Sequence, residues 1–376
     1  MKFRVERDVL ADAVAWTARS LPVRPSLPVL AGMLLETTED STLRLSSFDY
    51  EVSAQVSVEA TSAEAGTVLV SGKLLAEITR SLPAQPVDVS TDGSKVVLTC
   101  GSAKFTLLTL PVEDYPSLPE MPPAAGSVGS DVFSAAVGQT AIAAGRDDTL
   151  PFLTGIRVEI EGETVTLAAT DRYRLAVREF QWTPGRSDIS AVALVPAKTL
   201  ADTAKSLTSG AEVSIALSGE DIGEGMIGFE GGGRRTTTRL LDGDLPKYRS
   251  LFPTEFASHA EIATGPFIEA VKRVSLVAER NTPLRLAFSQ GELVLEAGTG
   301  DEAQAVEALE AKLEGDDIRS AFNPQFLLDG LNAIGSDTAC MEFTTSTKPA
   351  VITAKPAAEG TTAEYRYLIM PVRMSG

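Results

Sequence analysis

The chain has 376 residues, of which 44% are hydrophobic and 22% charged, and its formal net charge is -18 at pH 7. This length exceeds what one hydrophobic core ordinarily holds, so it predicts two or three domains, and the composition excludes a disordered chain. No run of 18 apolar residues occurs, which excludes a membrane-spanning helix. The acidity argues against an obvious nucleic-acid binder, provided that the charge is evenly distributed.

The first ten residues, MKFRVERDVL, carry charges where a signal peptide needs an apolar segment, so we do not expect secretion. Cys100 and Cys340 occur in strand-like runs and match no metal-binding or redox spacing. We interpret them as buried, inert thiols. These features predict a cytoplasmic protein in a reducing compartment.

Apolar residues at helical spacing recur along the chain, each time followed by alternating, strand-like runs. The turns between those runs are polar pairs such as Glu-Asp, Glu-Gly and Gln-Gly, which are typical of hairpins. In chain order, the predicted helices cover residues 5–20, 72–82, 131–146, 196–207, 266–280 and 323–334.

The chain contains three copies of one unit. VSGKLLAEITRSLPAQPVDVST begins at Val70, VPAKTLADTAKSLTSGAEVSIALS begins at Val195, and FNPQFLLDGLNAIGSDTACMEFTT begins at Phe322. The copies are 125 and 127 residues apart, and each predicts a turn, an amphipathic helix and a strand. Repeats of this length are whole domains, so we predict an α+β protein of three tandem, similar domains. Proline- and glycine-rich seams place these domains at residues 1–122, 127–253 and 254–376.

The predicted helices are much less acidic than the remainder of the chain. They carry 10 basic and 9 acidic residues, whereas the whole chain has 33 and 51. One interpretation is ordinary mixed charge on solvated helix surfaces. The other places the helices on one surface, where Arg and Lys meet phosphates without reading sequence while the acidic strands repel them.

No catalytic motif marks an active site. The single histidine, His259, lies near a seam in what we expect to be a solvent-facing loop. The glycine-rich EGGGRR at residues 230–235 lacks the Lys-Ser/Thr pair that ends a phosphate loop, so it predicts a hairpin turn. No nucleophile motif or paired-cysteine metal site occurs. An enzyme is therefore disfavoured, including one that uses Asp171 with Arg174.

A polar turn interrupts the strand-like stretch ATDRYRLAV at residues 169–177. Its counterparts in the other copies are residues 48–51 and 299–302, and only the middle copy has two arginines and a tyrosine. In one interpretation Asp171 shapes the turn and the arginines are simply solvated. In the other, the turn is a rim that holds a partner.

The closing segment YLIMPVRM, residues 367–374, also allows two interpretations. Apolar residues near a terminus usually form a core strand. Methionines such as Met370 and Met374 also suit an adaptable apolar cleft. The sequence alone leaves both open.

Several stretches together carry a resemblance. They are MKFRVERDVL at the start, RPSLPVL at 24–30, ATDRYRLAV at 169–177, LDGDLPKYRSLFP at 241–253, AFNPQFLLDGLNAI at 321–334 and YLIMPVRM at 367–374. The chain resembles the bacterial sliding clamp, the beta subunit of DNA polymerase III, over its whole length. The resemblance implies the DNA clamp fold, in which each domain packs two helices on β-sheets. It also implies that two chains join head to tail into a ring with the helices lining the hole.

The function that the resemblance implies is topological. A homodimeric ring would encircle duplex DNA without reading its sequence, tether the replicative polymerase and confer processivity. Such a subunit of the DNA polymerase III holoenzyme is non-catalytic and needs no cofactor and no metal. The alternative function is a protein-binding scaffold that does not encircle DNA.

The resemblance places DNA contacts on Arg24, Lys73, Lys198, Lys205 and Phe152. Many relatives have arginine at the position of Lys73, so the charge is kept there. Within the loop at residues 149–152, only Phe152 has a ring that can stack on single-stranded DNA.

The resemblance also implies a C-terminal pocket for short apolar peptides of the polymerase III alpha subunit, the clamp loader, other polymerases and repair proteins. Small-molecule or peptide inhibitors would bind in the same cleft. Its residues are Leu153, Thr170, Arg172, Tyr173, Arg174, Leu175, Pro246, Leu251, Asn323, Phe326, Leu368, Ile369, Met370, Pro371, Val372 and Arg373. Some relatives have Gly-His-Arg where this chain has Arg-Tyr-Arg, which predicts an altered peptide preference. The ring interface would join Phe105 and Leu107 of one chain to Leu276 of the other.

Overall fold

The structure, a computed structural model, describes residues 1–38, 40–208, 210–218, 225–278, 282–298, 303–356 and 363–373. The chain divides into two compact units. Unit 1 comprises Met1–Asp131, Thr183–Arg186 and Asp202–Leu240, and unit 2 comprises Val132–Trp182, Ser187–Ala201 and Leu241–Gly376. Three elements of the sequence predictions lie outside the described residues: Arg280, Met374 and the turn at 299–302.

The described residues form six α-helices, as the apolar spacing predicts. They are α1 (Arg7–Ala18), α2 (Gly72–Ser81), α3 (Ser130–Ala141), α4 (Ala197–Ser206), α5 (Thr264–Val274) and α6 (Pro324–Ala333). Helix α3 ends five residues before its predicted end, because the amides of Ala143 and Ala144 bond to carbonyls three residues back. The amide of Gly145 then bonds to the carbonyl of Leu153 at 2.7 Å, which takes the backbone out of the helix.

Three groups of strands accompany these helices. The first group is β1 (Lys2–Val5), β2 (Gly32–Thr37), β3 (Thr42–Phe48), β4 (Val52–Glu59), β5 (Thr61–Glu64), β6 (Gly66–Ser71), β7 (Val87–Asp92), β8 (Lys95–Cys100) and β9 (Ala103–Leu110). The second is β10 (Ala124–Gly129), β11 (Gly155–Glu161), β12 (Thr164–Thr170), β13 (Arg174–Gln181), β14 (Thr183–Pro184), β15 (Ser190–Pro196), β16 (Glu212–Leu217), β17 (Met226–Gly231) and β18 (Arg234–Arg239). The third is β19 (Ser258–Ala263), β20 (Leu284–Ser289), β21 (Gly291–Ala297), β22 (Ala305–Gly315), β23 (Ile318–Phe322), β24 (Thr338–Phe343), β25 (Ala350–Ala354) and β26 (Tyr365–Ile369). In each group one helix follows the first strand and another precedes the last three, which confirms the predicted repeat.

Unit 1 is built on one antiparallel sheet with the strand order β14-β10-β16-β17-β18-β4-β3-β2-β6-β9-β8-β7-β1-β5. Its main core packs α1 and α2 on this sheet through residues such as Leu10, Trp16, Leu45, Leu75 and Leu98. The sheet continues across the first predicted seam because β18 pairs with β4.

Unit 2 is built on a second antiparallel sheet with the order β15-β11-β12-β13-β26-β25-β24-β19-β22-β21-β20-β23. Here β13 pairs with β26, and Leu175 lies opposite Leu368. Backbone pairing therefore crosses the second predicted seam too, and it brings the turn after β12 beside the C-terminal strand.

Two sequence features acquire definite positions. Gly232 and Gly233, both with positive φ, connect β17 to β18, which confirms the hairpin turn predicted for EGGGRR. The prediction for His259 was wrong in one respect, because this residue lies in β19 rather than in a loop. Its Nδ1 atom is 3.1 Å from Oε1 of Glu342 on β24, and its side chain is half exposed. The nearby seam suggested a loop, but the strand begins at Ser258.

None of the helices in the described ranges is long and apolar enough to span a bilayer. Within the same ranges, no three His, Cys, Asp or Glu side chains gather closely enough to hold a metal ion. Both cysteines are free thiols. Cys100 is buried as predicted, whereas Cys340 is only half-buried, and this burial raises the pKa of Cys340 to about 11. That thiol stays protonated near neutral pH, which agrees with the inert role predicted for it.

Candidate functional site

The turn between β12 and β13 is fixed by the carboxylate of Asp171. Its Oδ1 atom accepts hydrogen bonds from the amides of Tyr173 and Arg174 at 3.0 and 3.1 Å. This arrangement leaves Arg172 in the left-handed backbone region, with φ of 80°. Thr170 closes the turn by donating its hydroxyl to the carbonyl of Arg174 at 2.6 Å. The turn thereby holds the side chains of Arg172 and Tyr173 outward, where both are exposed.

Arg174, by contrast, is a buried cation held by two carboxylates. Its Nε atom donates to Oδ2 of Asp171 at 2.9 Å, and its Nη1 atom donates to Oδ2 of Asp329 at 2.5 Å. Burial by itself would lower the pKa of this guanidinium. Tyr367 and the two carboxylates outweigh burial and raise that pKa. Arg174 is therefore permanently charged, and Asp171 and Asp329 already engage that charge.

The ring of Phe326 forms a stack with this turn. The guanidinium carbon of Arg174 lies 4.2 Å from the ring centroid, and the ring of Tyr173 lies at 6.4 Å with an interplanar angle of 29°. Phe326 is placed by the start of α6, where Oδ1 of Asn323 accepts from the amides of Gln325 and Phe326 at 2.9 and 3.2 Å. Asn323 is thus a helix cap rather than a pocket wall.

Helix α6 lies very close to β26. The hydroxyl of Tyr367 donates to the carbonyl of Phe326 at 2.8 Å. A Cβ atom on Gly330 would lie 2.5 Å from the Tyr367 ring, so glycine is needed there. This close approach brings the N-terminal turn of α6 against the turn after β12.

A cavity of about 680 Å³ opens beside this cluster. Apolar side chains form much of its wall, and a few charged groups converge on it, as is usual for a ligand pocket. Its lining residues are Ala144, Gly145, Arg146, Asp147, Leu150, Leu153, Asp171, Arg172, Tyr173, Arg174, Gln325, Phe326 and Asp329.

The structure brings five of the predicted pocket residues together on this cavity: Leu153, Arg172, Tyr173, Arg174 and Phe326. Four other predicted pocket residues are buried and do not line the cavity. Leu175 and Leu368 belong to the apolar core that includes Leu153, and Thr170 and Ile369 are also buried. These four side chains shape the site but present no surface to a partner.

Pro246 and Leu251 lie in the segment between β18 and β19, where both are exposed, and neither lines the cavity. The segment is anchored by Glu159 of β11. That carboxylate accepts from the Tyr248 hydroxyl and from Arg249, each at 2.8 Å. Burial would raise the pKa of Glu159, but the hydrogen bonds from Arg249 and Tyr248 outweigh it and lower the pKa.

The closing segment, residues 367–374, begins as a core strand and continues as an exposed apolar stretch, so each interpretation applies to a different part of it. Its residues up to Ile369 belong to β26 and are buried, whereas Met370 and Val372 beyond the strand are 40% and 38% exposed. The Met370 amide bonds to the carbonyl of Tyr173 at 2.8 Å, which fixes this end of the chain beside the turn. Pro371 is half-buried and Arg373 is exposed.

Eight of the lining residues, among them Arg146, Asp147, Leu150, Gln325 and Asp329, are absent from the predicted pocket. Five come from the segment after α3, two from the first turns of α6, and the eighth, Asp171, from the turn after β12. One signal was present: Gln325 and Asp329 have the i, i+4 spacing of partners on a helix, and they bond at 2.8 Å.

The predicted DNA-contacting cations are all on the surface. Arg24 is exposed in the loop after α1, Lys73 at the start of α2, and Lys198 and Lys205 on α4. Phe152 is half-buried and packs against the core around Leu153, and its contact with single-stranded DNA stays a prediction.

The predicted interface residues differ in exposure. Leu276 is 84% exposed in the turn after α5, and Phe105 is 37% exposed on β9. Leu107 is only 3% exposed and lies in the core of unit 1, so it is not available to a partner as predicted. Its neighbour Leu108 is 70% exposed.

Three family models of the DNA polymerase III beta subunit match the chain in order. The N-terminal domain matches residues 1–119, the central domain 127–247 and the C-terminal domain 249–373. The chain belongs to this family. The three predicted repeats are therefore three tandem clamp domains, and the resemblance seen in the sequence is confirmed.

Individual relatives agree. The beta sliding clamp of Streptomyces coelicolor is 69% identical over 100% of both chains, and the beta sliding clamp homolog GriR of Streptomyces muensis is 49% identical over 99% of both. The solved sliding clamp of Bacillus subtilis has a TM-score of 0.92 and 25% identity over 100% of both chains. The DnaN sliding clamp of Pseudomonas aeruginosa, solved bound to griselimycin, has a TM-score of 0.91 and 27% identity over 100% of both chains.

The chain is a DNA sliding clamp, a non-catalytic processivity factor of replication whose partners are DNA and a polymerase. Its role is to encircle DNA as a ring, so it needs topological closure rather than tight binding. This role accounts for a sequence without catalytic motifs.

Proposed function

We propose that partner proteins of this clamp dock short apolar segments in the cavity beside Phe326. Several partners would compete for this one binding site: the alpha subunit of DNA polymerase III, the clamp loader, other polymerases and repair proteins. The observation that carries the proposal is the cavity itself, where Leu150, Leu153 and the Tyr173–Phe326 stack offer apolar surface. Large apolar side chains gain most from leaving water for such a wall.

The charges around the cavity support a peptide rather than an ionic ligand. Asp171 and Asp329 are bonded to Arg174, and Asp147 accepts from the amide and hydroxyl of Thr149 at 3.0 and 2.7 Å. The exposed cations Arg146 and Arg172 also line the cavity, and apolar side chains form much of its wall. A relative has been solved with griselimycin, and we propose that the cavity of this chain also accepts peptide or small-molecule inhibitors.

Ring closure through two open strand edges is the second part of the proposal. In the described ranges, residues 103–108 of β9 pair only with β8, and residues 305–310 of β22 pair only with β21. Unpaired edges of this kind are templates for pairing with another chain. Leu108, which is exposed, lies in the unpaired part of β9, and Val306, 68% exposed, lies in the unpaired part of β22.

Charge complementarity supports the same pairing. Lys104 is exposed on β9, and Glu310 is exposed on β22. We propose that the β9 edge of one copy meets the β22 edge of the other, with Leu276 covering Phe105. A head-to-tail interface of this kind closes when its rotation permits a ring.

Contact with DNA would then involve Arg24, Lys73, Lys198 and Lys205. Side chains of this kind on helices and loops meet phosphates at any sequence. Among the described residues, no carboxylate forms an ion pair with Arg24, Lys73 or Lys205, so their charge is available to phosphates. We also propose a cytoplasmic location, where replication proteins of this family would meet the chromosome.

Retention on circular DNA tests the ring against the alternative, a scaffold that binds only proteins. The clamp would be loaded on nicked circular DNA by a clamp loader with ATP, washed in high salt, and the circle then cut once. Salt removes contacts that depend on phosphate charge but cannot remove a ring from a circle. Survival in salt followed by loss on cutting is the expected result. Loss during the wash would favour the scaffold.

A further inference from the structure

We propose that Asp329 is a positioning residue of the cleft. Its carboxylate holds the Arg174 guanidinium over the Phe326 ring, and this contact sets the wall on which a partner's apolar side chain packs. The inference rests on the proposed docking of peptides in this cavity. It assigns a role to a side chain that is absent from the predicted pocket.

Two carboxylates from distant parts of the chain hold the guanidinium, and Tyr367 contacts it as well. Asp171 holds Nε from the turn after β12, and Asp329 holds Nη1 from α6, 155 residues away from Arg174. With the Asp171 carboxylate alone, the group could turn more freely about its Cδ–Nε bond. The second carboxylate restricts that rotation, and the guanidinium carbon lies 4.2 Å from the Phe326 centroid.

Asp329 is itself held in place. Its second oxygen, Oδ1, accepts from Nε2 of Gln325 at 2.8 Å, one turn earlier on α6. Its side chain is 25% exposed, compared with 7% for Arg174. The carboxylate therefore lies at the boundary between the buried cation and the cavity that both residues line.

Removing the carboxylate has a consequence for the cavity wall. Arg174 is too deeply buried to regain solvation where it lies, and the nearest open space is the cavity. A guanidinium released from Asp329 would turn into that space. It would then leave the face of Phe326 and occupy the position where the partner's side chain binds.

The chain offers a matched control. Asp148 also carries one negative charge and is exposed close by in the sequence to the lining residues Arg146 and Leu150, but it does not line the cavity, and the carboxylates that bond to Arg174 are Asp171 and Asp329. Asp148→Asn thus removes the same charge near the cavity without changing its wall or releasing the guanidinium. An effect of charge alone would appear in both variants.

The experiment measures the affinity of a labelled synthetic decapeptide with a central Leu-Phe pair among serines and glycines, with an Ala-Ala peptide as the blank. We expect Asp329→Asn to weaken binding about tenfold, the effect of losing one hydrogen bond to a charged group. Asp148→Asn should change binding less than twofold. Gln325→Ala, which frees the carboxylate without removing it, should give an intermediate loss.

A second variant separates positioning from charge burial. In Arg174→Met with Asp329→Leu, the cation and the Asp329 carboxylate are both gone, so the melting temperature should be higher than that of Asp329→Asn while peptide binding stays weak. Wild-type affinity in Asp329→Asn, or in the double variant, would overturn the role of Asp329. If the wild-type protein does not prefer the Leu-Phe peptide to the Ala-Ala peptide, peptide docking fails, and the inference fails with it.

Discussion

Arg172 and Tyr50 have the same backbone conformation at the same place in two different clamp domains, with φ of 80° and 75°. Asp49 accepts from the amides two and three residues on at 3.0 and 2.7 Å, just as Asp171 does. The left-handed residue is therefore a product of the turn rather than of the cleft. Its side chain is free to vary, and in this chain only the second domain has arginine there.

Arg172→Gly tests whether this side chain selects partners. Glycine adopts φ of 80° without strain, so we expect the free energy of unfolding to change by less than about 1 kcal/mol. Peptides with a carboxylate beside the apolar pair should lose about twofold to fivefold in affinity at low salt, and neutral peptides should not. Tyr50→Gly relieves the same strain outside the cavity and is the control. Equal affinity changes for acidic and neutral peptides would remove Arg172 from partner selection.

Met370→Ala should weaken binding of the Leu-Phe peptide about fivefold, because the truncated side chain covers less of the bound apolar surface. The dimer should stay intact, since Met370 belongs to neither the β9 edge nor the β22 edge. Met374 lies outside the described residues, so the double replacement with Met374→Ala measures the added effect of the terminal methionine. Titration calorimetry and sedimentation measure the two properties. An unchanged peptide affinity would exclude Met370 from the cleft.

Leu276→Asp should dissociate the ring, because closure would bury an unpaired carboxylate. Analytical ultracentrifugation should show monomers at concentrations where the wild type is dimeric. Leu27→Asp places the same charge on another exposed leucine, 46% exposed in the loop after α1, and should leave the dimer unchanged. A stable dimer of Leu276→Asp would refute the proposed interface.

Arg24→Ala combined with Lys73→Ala should reduce the salt dependence of DNA binding. Each phosphate contact contributes about 0.9 to the slope of log K against log salt, so we expect the slope to become shallower by about 2. Arg186→Ala combined with Lys95→Ala removes the same charge at other exposed positions and serves as the control. The same slope in both double variants would mean that Arg24 and Lys73 do not touch phosphate.

Glu159→Gln should destabilise unit 2 by about 1.5–3 kcal/mol at pH 7, because Tyr248 and Arg249 lose a charged acceptor. The folded-state pKa of Glu159 is lowered from 4.5, so its contribution is complete above that pH and is lost as pH falls through the folded-state pKa. Thermal melts between pH 3 and 7 should therefore converge for wild type and variant at the acid end. Glu163→Gln, at an exposed turn, is the control. Parallel curves at all pH values would contradict the linkage.

Local patterns predict local structure well in this chain. The helices follow from apolar spacing, and the hairpin at Gly232 and Gly233 follows from glycine's tolerance of positive φ. Side-chain direction was harder to predict. Two-residue alternation along β9 puts Phe105 and Leu107 on one face, but the core covers only Leu107 and leaves Phe105 and Leu108 exposed.

The cavity could be predicted only in part. Arg172, Tyr173 and Arg174 are conspicuous in the sequence, since they lie together in one polar turn. Asp329 and Leu150 reach the same cavity through strand pairing and helix packing, which are tertiary contacts that no local spacing encodes. The resemblance supplied Phe326, but it did not supply the carboxylate that holds the cation against it.

The open edges of β9 and β22 also determine stoichiometry. Each copy carries one edge of each kind. Leu276→Asp disrupts the interface on the β22 side, and Leu108→Asp disrupts it on the β9 side. In a mixture of the two variants, only the β9 edge of the first can pair with the β22 edge of the second, so assembly would stop at a two-chain arc with one junction. Such an arc could bind partner peptides in solution but would not be retained on circular DNA. A single preparation would therefore separate peptide binding from encirclement of DNA.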